Sequence, residues 1–138
     1  MSQVFVDTWA WVALVDKRDQ DHARAQSINQ TLIDQEYEFV TTNAVFGEAV
    51  TMLRYRVSHA AAIKFRQILD QLVEGGLLTL IRATDVYEKN AWDIFEKYSD
   101  QDFSWVDCIS FAVMKDLNLQ EAFTHDHHFR TMGFVTHS

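Results

Sequence analysis

The sequence has 138 residues, a length typical of one domain, and its 48% hydrophobic and 23% charged residues are ordinary proportions for a protein with a packed core. The formal net charge of −8 disfavours a protein that binds nucleic acid through its own cations alone, because phosphate backbones are met by lysine and arginine. The single cysteine, Cys108, excludes an internal disulfide, and no signal peptide or bilayer-spanning apolar stretch is recognisable, so we expect a cytoplasmic protein.

Apolar periodicity predicts strands that alternate with helices along the chain. The predicted strands are residues 3–6, 38–41, 77–81 and 122–124, with a last short one at 133–136. The predicted helices are residues 9–15, 19–35, 43–57, 59–74, 85–98 and 105–117. This alternation indicates a single α/β domain over residues 1–138, in which a mainly parallel central sheet is flanked by helices in a three-layer sandwich.

Four acidic residues fall where a parallel sheet has its binding edge. Asp7 directly follows the first strand, Asp126 follows the fourth, Glu48 is early in the helix after the second, and Asp107 is in the first turn of a late helix. Carboxylates about 4 Å apart repel by about 4 kcal/mol at an effective dielectric near 20, and a divalent cation reverses that balance. The pattern predicts a Mg²⁺ or Mn²⁺ site for phosphodiester hydrolysis, with Asp7 and Asp107 supplying most of the ligands. Glu48 and Asp126 complete the coordination, directly or through water.

Each of these acids also has a purely structural interpretation. Asp107 fits a capping box with Ser104, Asp7 and Asp126 are placed to cap helices, and Glu48 suits a solvated helix surface. The apolar residues around Asp7 and Asp107 favour the functional interpretation, since an acid there is partly desolvated. On the residues alone, both interpretations stay open.

The segments that contain the four acids resemble the motifs of PIN-domain ribonucleases, and among them the VapC-type toxins of prokaryotic toxin–antitoxin pairs. The similar segments are Val4-Phe5-Val6-Asp7-Thr8, Thr41-Thr42-Asn43-Ala44-Val45-Phe46-Gly47-Glu48, Asp102-Phe103-Ser104-Trp105-Val106-Asp107 and Phe123-Thr124-His125-Asp126-His127-His128-Phe129. The chain departs from the family at Cys108, where a small residue such as alanine is common, and in its histidine-rich fourth motif.

The resemblance implies a PIN-like sandwich and an endoribonuclease that depends on Mg²⁺ or Mn²⁺. Its catalytic and metal-binding residues would be Asp7, Glu48, Asp107 and Asp126. It also implies a homodimer, an RNA substrate and a cognate antitoxin that inhibits the enzyme. The alternative is a non-catalytic protein- or RNA-binding module that keeps the fold without turnover.

Four further residues are accessory candidates. The resemblance makes Asp102 a possible accessory acid, and a loop acid near a helix start is the competing interpretation. Thr8, Ser104 and Thr124 suit hydrogen bonds that orient the metal-binding carboxylates, and they suit helix capping equally well.

Histidines and cations supply two competing signals. His125, His127 and His128 surround Asp126, which is compatible with zinc binding or with solvated loop histidines. A basic run with interleaved aromatic residues indicates either an RNA backbone path or a solvated helical face. It consists of Arg54, Tyr55, Arg56, Lys64, Phe65 and Arg66, with Lys115 and Arg130 as weaker additions. Cys108 lacks a partner base at useful spacing and is a poor candidate for a nucleophile.

Overall fold

The computed structural model describes residues 2–138 and contains one five-stranded sheet in which every neighbouring pair of strands is parallel. The strands are β1 (Gln3–Val6), β2 (Glu38–Thr42), β3 (Leu78–Ile81), β4 (Glu121–Phe123) and β5 (Val135–His137). The helices are α1 (Thr8–Val15), α2 (His22–Asp34), α3 (Asn43–Arg56), α4 (His59–Glu74), α5 (Asp85–Lys97), α6 (Trp105–Asp116) and α7 (His127–Thr131). The predicted α/β fold is confirmed, with a sheet that is wholly parallel rather than mainly so.

The strand order determines where a binding site forms. The order is β3-β2-β1-β4-β5. Strands β2 and β3 are therefore added on one side of β1, and β4 and β5 are added on its other side. Because such crossovers are right-handed, α1 to α4 cover one face of the sheet and α5 to α7 cover the other. The reversal between β1 and β4 is the topological switch point, where ligands of open parallel sheets bind.

Burial of the central strand and of α6 explains their sequences. Val4, Phe5 and Val6 of β1 are all buried because helices cover both faces of the sheet. Helix α6 is buried along residues 107–114, which accounts for its apolar character on every side. Among the residues described, no helix is long and apolar enough to cross a membrane.

Several predicted boundaries are wrong for identifiable reasons. Helix α2 begins at His22 rather than at residue 19, because Asp19 forms a turn in which its side chain accepts from the Asp21 N–H at 2.8 Å. The five-residue α7 was not predicted. Gly133 has φ +90°, which ends the turn after α7, so β5 begins two residues later than expected. Strand β4 is Glu121–Phe123, one residue earlier than expected.

Candidate active site

Two of the four predicted acids lie side by side at the switch point. Asp7 follows β1, and Asp126 follows the neighbouring strand β4, with Val6 paired to Phe123 between the two strands. The Asp7 N–H continues this ladder by donating to the Phe123 carbonyl at 3.2 Å. The backbone alone therefore brings the two acids to one edge of the sheet.

A buried threonine links the Asp7 carboxylate to the backbone of Asp126. The Thr124 hydroxyl donates to Asp7 Oδ2 at 2.8 Å and accepts from the Asp126 N–H at 3.0 Å. Thr124 is fully buried and Asp7 is 6% exposed. Asp7 stands at the N-cap position of α1, but its side chain makes no capping hydrogen bond there. The capping interpretation of Asp7 is therefore wrong.

The pKa of Asp7 is far above its ordinary value. Burial raises the pKa of Asp7 from 3.8 to about 7, the hydrogen bond from Thr124 offsets part of this rise, and the negative charges of Asp107 and Asp126 add to it. The three aspartates therefore lie close enough for their charges to repel one another. The folded chain compensates the Asp7 charge only in part, and a bound cation would relieve the remaining penalty.

Asp107 is both a helix cap and a member of this acidic group. Its N–H donates to Ser104 Oγ at 3.0 Å, and its Oδ2 accepts from the Ser104 N–H at 3.1 Å, which is the predicted capping box. Burial raises the pKa of Asp107, the Ser104 backbone hydrogen bond lowers it, the charge of Asp126 raises it, and His128 lowers it. The structural and functional interpretations of Asp107 are therefore compatible, because the capping box occupies only one carboxylate oxygen.

His128 bridges Asp107 and Asp126, a role that the sequence did not predict. Its Nδ1 lies 3.0 Å from Asp107 Oδ2 and 3.3 Å from Asp126 Oδ1. When the two carboxylates are ionised they can only accept, so a hydrogen bond from His128 to them requires the tautomer with the proton on Nδ1. Asp126 Oδ1 also accepts from the His128 N–H at 2.9 Å, which caps α7. The sequence feature that could have indicated this contact is Asp126 as a possible helix cap. The short helix that it caps places the side chain of His128 next to the acids.

Glu48 and Asp102 are not joined to this group. Glu48 is half-buried on α3, and it is not among the charges that shift the pKa of Asp7 or of Asp107. Asp102 is exposed and lines a separate cavity of about 570 Å³ beside Trp92 and Phe103. Of the accessory candidates, Ser104 and Thr124 contact the acids, while the Thr8 hydroxyl is buried with no hydrogen-bond partner among the residues described.

The three histidines of the fourth motif do not form one cluster. His125 is exposed and its ring lies 5.4 Å from that of Trp9. Ligand atoms of Asp126, His127 and His128 lie within 4.8 Å of one another, and this set excludes His125. The fold therefore does not bring the three histidines together, which disfavours the zinc-binding alternative.

Cys108 is unsuited to nucleophilic chemistry. Burial raises the pKa of its thiol to about 11, and the adjacent charge of Asp107 adds to the rise. A thiol with this pKa is almost wholly protonated at neutral pH, and only the thiolate is nucleophilic.

Comparison with known proteins places this arrangement in a family. The sequence pattern of the PIN domain matches residues 4–135. The chain belongs to the PIN-domain family. A PIN-domain relative from Mycobacterium tuberculosis, the 23S rRNA-specific endonuclease VapC20, is 33% identical over 135 residues, which are 96% of this chain and 95% of the relative. A VapC ribonuclease of Archaeoglobus fulgidus is 27% identical over 117 residues, which are 83% of this chain and 72% of the relative.

Solved PIN-domain structures share the fold. The crystal structure of M. tuberculosis VapC20, described as a Sarcin-Ricin loop cleaving toxin, has a TM-score of 0.84 and 31% identity, covering 96% of each chain. VapBC2 from Rickettsia felis, crystallised with a DNA fragment from the promoter, has a TM-score of 0.67 at 12% identity, covering 98% of this chain and 97% of that one. The predicted resemblance to PIN-domain proteins of the VapC type is confirmed.

Proposed function

We propose that this chain is a metal-dependent endoribonuclease, the toxin of a toxin–antitoxin pair, which hydrolyses RNA phosphodiester bonds at the acidic pocket of Asp7, Asp107 and Asp126. The observation that carries the proposal is the convergence of these three carboxylates at the switch point between β1 and β4. Two PIN-domain relatives that match most of the chain are named as ribonucleases or RNA endonucleases, which supports the same chemistry.

The side chains of the pocket fit a divalent cation. Carboxylate oxygens are the ligands that Mg²⁺ and Mn²⁺ prefer. Asp7 has a pKa of about 7 because its charge is buried beside two other acids, and a cation would remove that penalty. The Thr8 hydroxyl, next in the chain to Asp7, is buried without a partner among residues 2–138. Asp7, Asp107 and Asp126 would hold the cation, with Glu48 completing the set directly or through water.

The surrounding polar groups hold the carboxylates in position. Ser104 fixes Asp107 at the start of α6, and Thr124 fixes Asp7 relative to the backbone of Asp126. The His128 Nδ1–H stands between Asp107 and Asp126 and keeps their oxygens close despite their like charges. When bound, the cation supplies an activated water and neutralises the scissile phosphate. The chain's own contribution is a rigid carboxylate frame that requires no reorganisation when RNA arrives.

For the substrate we propose structured ribosomal RNA of the sarcin–ricin loop type, because the M. tuberculosis relative that matches 96% of this chain is described as acting on that RNA. We also propose a cognate antitoxin that binds at the acidic pocket through basic side chains, since three clustered carboxylates attract cations. The homodimer expected from the family stays a prediction, as does a cytoplasmic location.

A cleavage assay tests the proposal. The purified chain is incubated with a 5′-labelled sarcin–ricin hairpin RNA in Mg²⁺, in Mn²⁺ or in EDTA. We expect cleavage only with metal, and a loss of at least about a hundredfold in Asp107→Asn, because removing a metal ligand costs at least as much as removing one of its supporting residues. The matched control is Asp93→Asn, an exposed acid on α5, which should cleave as the wild type does.

Three outcomes would contradict the proposal. Cleavage in EDTA that equals cleavage in Mg²⁺ would exclude metal dependence, and full activity of Asp107→Asn would exclude the pocket. Binding of the RNA without turnover under any metal condition would identify the chain as a non-catalytic binding module.

A further inference from the structure

Charge is very unevenly distributed along this acidic chain. No aspartate or glutamate occurs between Glu48 and Asp70, so residues 49–69 carry a formal charge of +4. The rest of the chain contains the other eight lysines and arginines and all 20 acidic residues, so its formal net charge is −12. The four cations of the positive segment are Arg54, Arg56, Lys64 and Arg66.

The fold gathers these cations at the end of one helical hairpin. Helices α3 and α4 pack against each other and are joined by Val57 and Ser58, and Ser58 caps α4 by accepting from the Ala61 N–H at 3.0 Å. All four cations are exposed. At a rise of about 1.5 Å per residue, they lie within roughly 10 Å of the hairpin tip along the helix axes. Tyr55, between two of them, is 81% exposed.

One face of the hairpin leads from the tip toward the sheet edge. The Arg54 guanidinium hydrogen-bonds the His59 ring at the start of α4. His59 and Arg66 are seven residues apart and therefore share a face of α4. The Arg66 guanidinium lies 5.4 Å from the ring centre of Phe46, which is in the first turn of α3. Its Nε–H also donates to the exposed Asp70 Oδ2 at 3.2 Å, which leaves its terminal NH₂ groups for a phosphate. We call Arg54, His59 and Arg66 the basic row.

The basic row ends close to the proposed active site in the fold. Helix α3, which carries Phe46 in its first turn, begins at Asn43 directly after β2 ends. Because β1 and β2 are parallel neighbours, the start of α3 lies at the same edge of the sheet as Asp7. A polyanion bound along the row would therefore extend toward the three carboxylates.

We propose that the basic row, with Arg56 and Lys64 beside it, binds the phosphate backbone of the RNA substrate and delivers it to the acidic pocket. The inference rests on the proposed ribonuclease function and names the surface that this function requires. The chain carries −12 outside residues 49–69 and therefore repels RNA over most of its surface, so attraction must come from the segment of +4. Arginine pairs with phosphate oxygens through two parallel hydrogen bonds, and an exposed tyrosine between arginines offers a base a stacking surface.

The test compares two double variants that change the net charge equally, from −8 to −10. Arg54→Gln/Arg66→Gln removes both arginines of the basic row. Lys17→Gln/Arg18→Gln removes two exposed cations from the connection between α1 and α2. Both replace exposed side chains with glutamine, and thermal melts monitored by circular dichroism check that each variant is folded.

Binding of a labelled sarcin–ricin hairpin RNA is measured by fluorescence anisotropy in EDTA over a series of salt concentrations. We expect the basic-row variant to bind about tenfold more weakly at ~0.1 M salt, and its slope of log affinity against log salt to fall by about 1.4–1.8, the value for two lost phosphate contacts. The control variant should change affinity by less than about twofold, with the slope unchanged.

The inference is wrong if the basic-row variant binds RNA as the wild type does, or if both variants lose affinity equally, because net charge alone would then explain the effect. Cleavage in Mn²⁺, measured separately, distinguishes this failure from failure of the proposed function. A wild-type chain that binds the RNA but never cleaves it defeats the function. If the wild type cleaves the RNA and the basic-row variant has the same kcat/KM, only the inference is wrong.

Discussion

Replacing Asp7 with asparagine should stabilise the metal-free protein, and the gain should depend on pH. In the folded chain Asp7 has a pKa of about 7, whereas its ordinary value is 3.8. The difference of about three pKa units, at about 1.4 kcal/mol per unit, corresponds to about 4 kcal/mol of unfolding free energy. The asparagine side chain in Asp7→Asn keeps an oxygen that can accept from the Thr124 hydroxyl but has no charge to bury.

The direction of the pH dependence follows from which state holds the proton. Below pH 3.8 Asp7 is protonated in both states and imposes no penalty. Between about pH 4 and pH 7 the unfolded chain ionises Asp7 while the folded chain still holds the proton, so wild-type stability falls as the pH rises. Above about pH 7 the penalty is constant. The stability advantage of Asp7→Asn should therefore grow through this window and then level off at about 4 kcal/mol.

Urea unfolding in EDTA at intervals from about pH 4.5 to about pH 8.5 measures the effect, with Asp93→Asn as the control. Asp93 is exposed on α5, so its replacement should shift the free energy of unfolding by little and equally at every pH. An Asp7→Asn difference that is independent of pH, or a variant less stable than the wild type at about pH 8, would refute the account of the buried charge. Adding Mn²⁺ should narrow or reverse the difference, because only the wild type gains full binding energy.

Three further predictions follow from the packing around the pocket. Thr124→Val, which removes the hydroxyl between Asp7 and Asp126, should weaken Mn²⁺ binding about 10- to 100-fold in calorimetric titrations. Ser104→Ala should lower the free energy of unfolding by about 1 kcal/mol because it removes the cap of α6, whereas Thr84→Ala, at an N-cap position without a side-chain bond, should cost no more than about 0.5 kcal/mol. Cys108, whose thiol pKa is raised to about 11, should not react with a disulfide reagent at about pH 8 until urea unfolds the chain.

Each of these three predictions has an outcome that would contradict it. Unchanged Mn²⁺ affinity in Thr124→Val would mean that the hydroxyl does not position the pocket. Equal losses from Ser104→Ala and Thr84→Ala would mean that the capping box adds no stability. Rapid labelling of Cys108 in the folded protein would contradict its burial.

The sequence predicted the elements that have strong periodicity. Strand β1 and the boundaries of α4 were predicted to the residue, because apolar spacing and caps such as Ser58 are local signals. Helix α7 was missed because its five residues show no apolar period, although Asp126 had been identified as a possible helix cap and does accept from the His128 N–H. The start of α2 was missed because the side chain of Asp19 competes for the backbone.

The site was predictable only in part. The positions of Asp7 and Asp126 follow from strand ends, and the capping box of Asp107 follows from a local motif. The place of Glu48 relative to the three aspartates depends on the side-chain direction on α3, which sequence spacing does not determine. The bridge by His128 arises from packing between α6 and α7, two elements that are separated in the chain by β4, so the sequence left only zinc binding or a solvated loop open for this histidine.

Calorimetric titration of Mn²⁺ into the purified chain at about pH 7.5 tests the acidic pocket most directly. We expect saturable binding by the wild type, equal binding by Asp93→Asn, and an affinity at least about thirtyfold lower in Asp7→Asn, because the cation loses the carboxylate whose buried charge it compensates. Asp7→Asn that binds Mn²⁺ as tightly as the wild type would place the metal elsewhere and contradict the account.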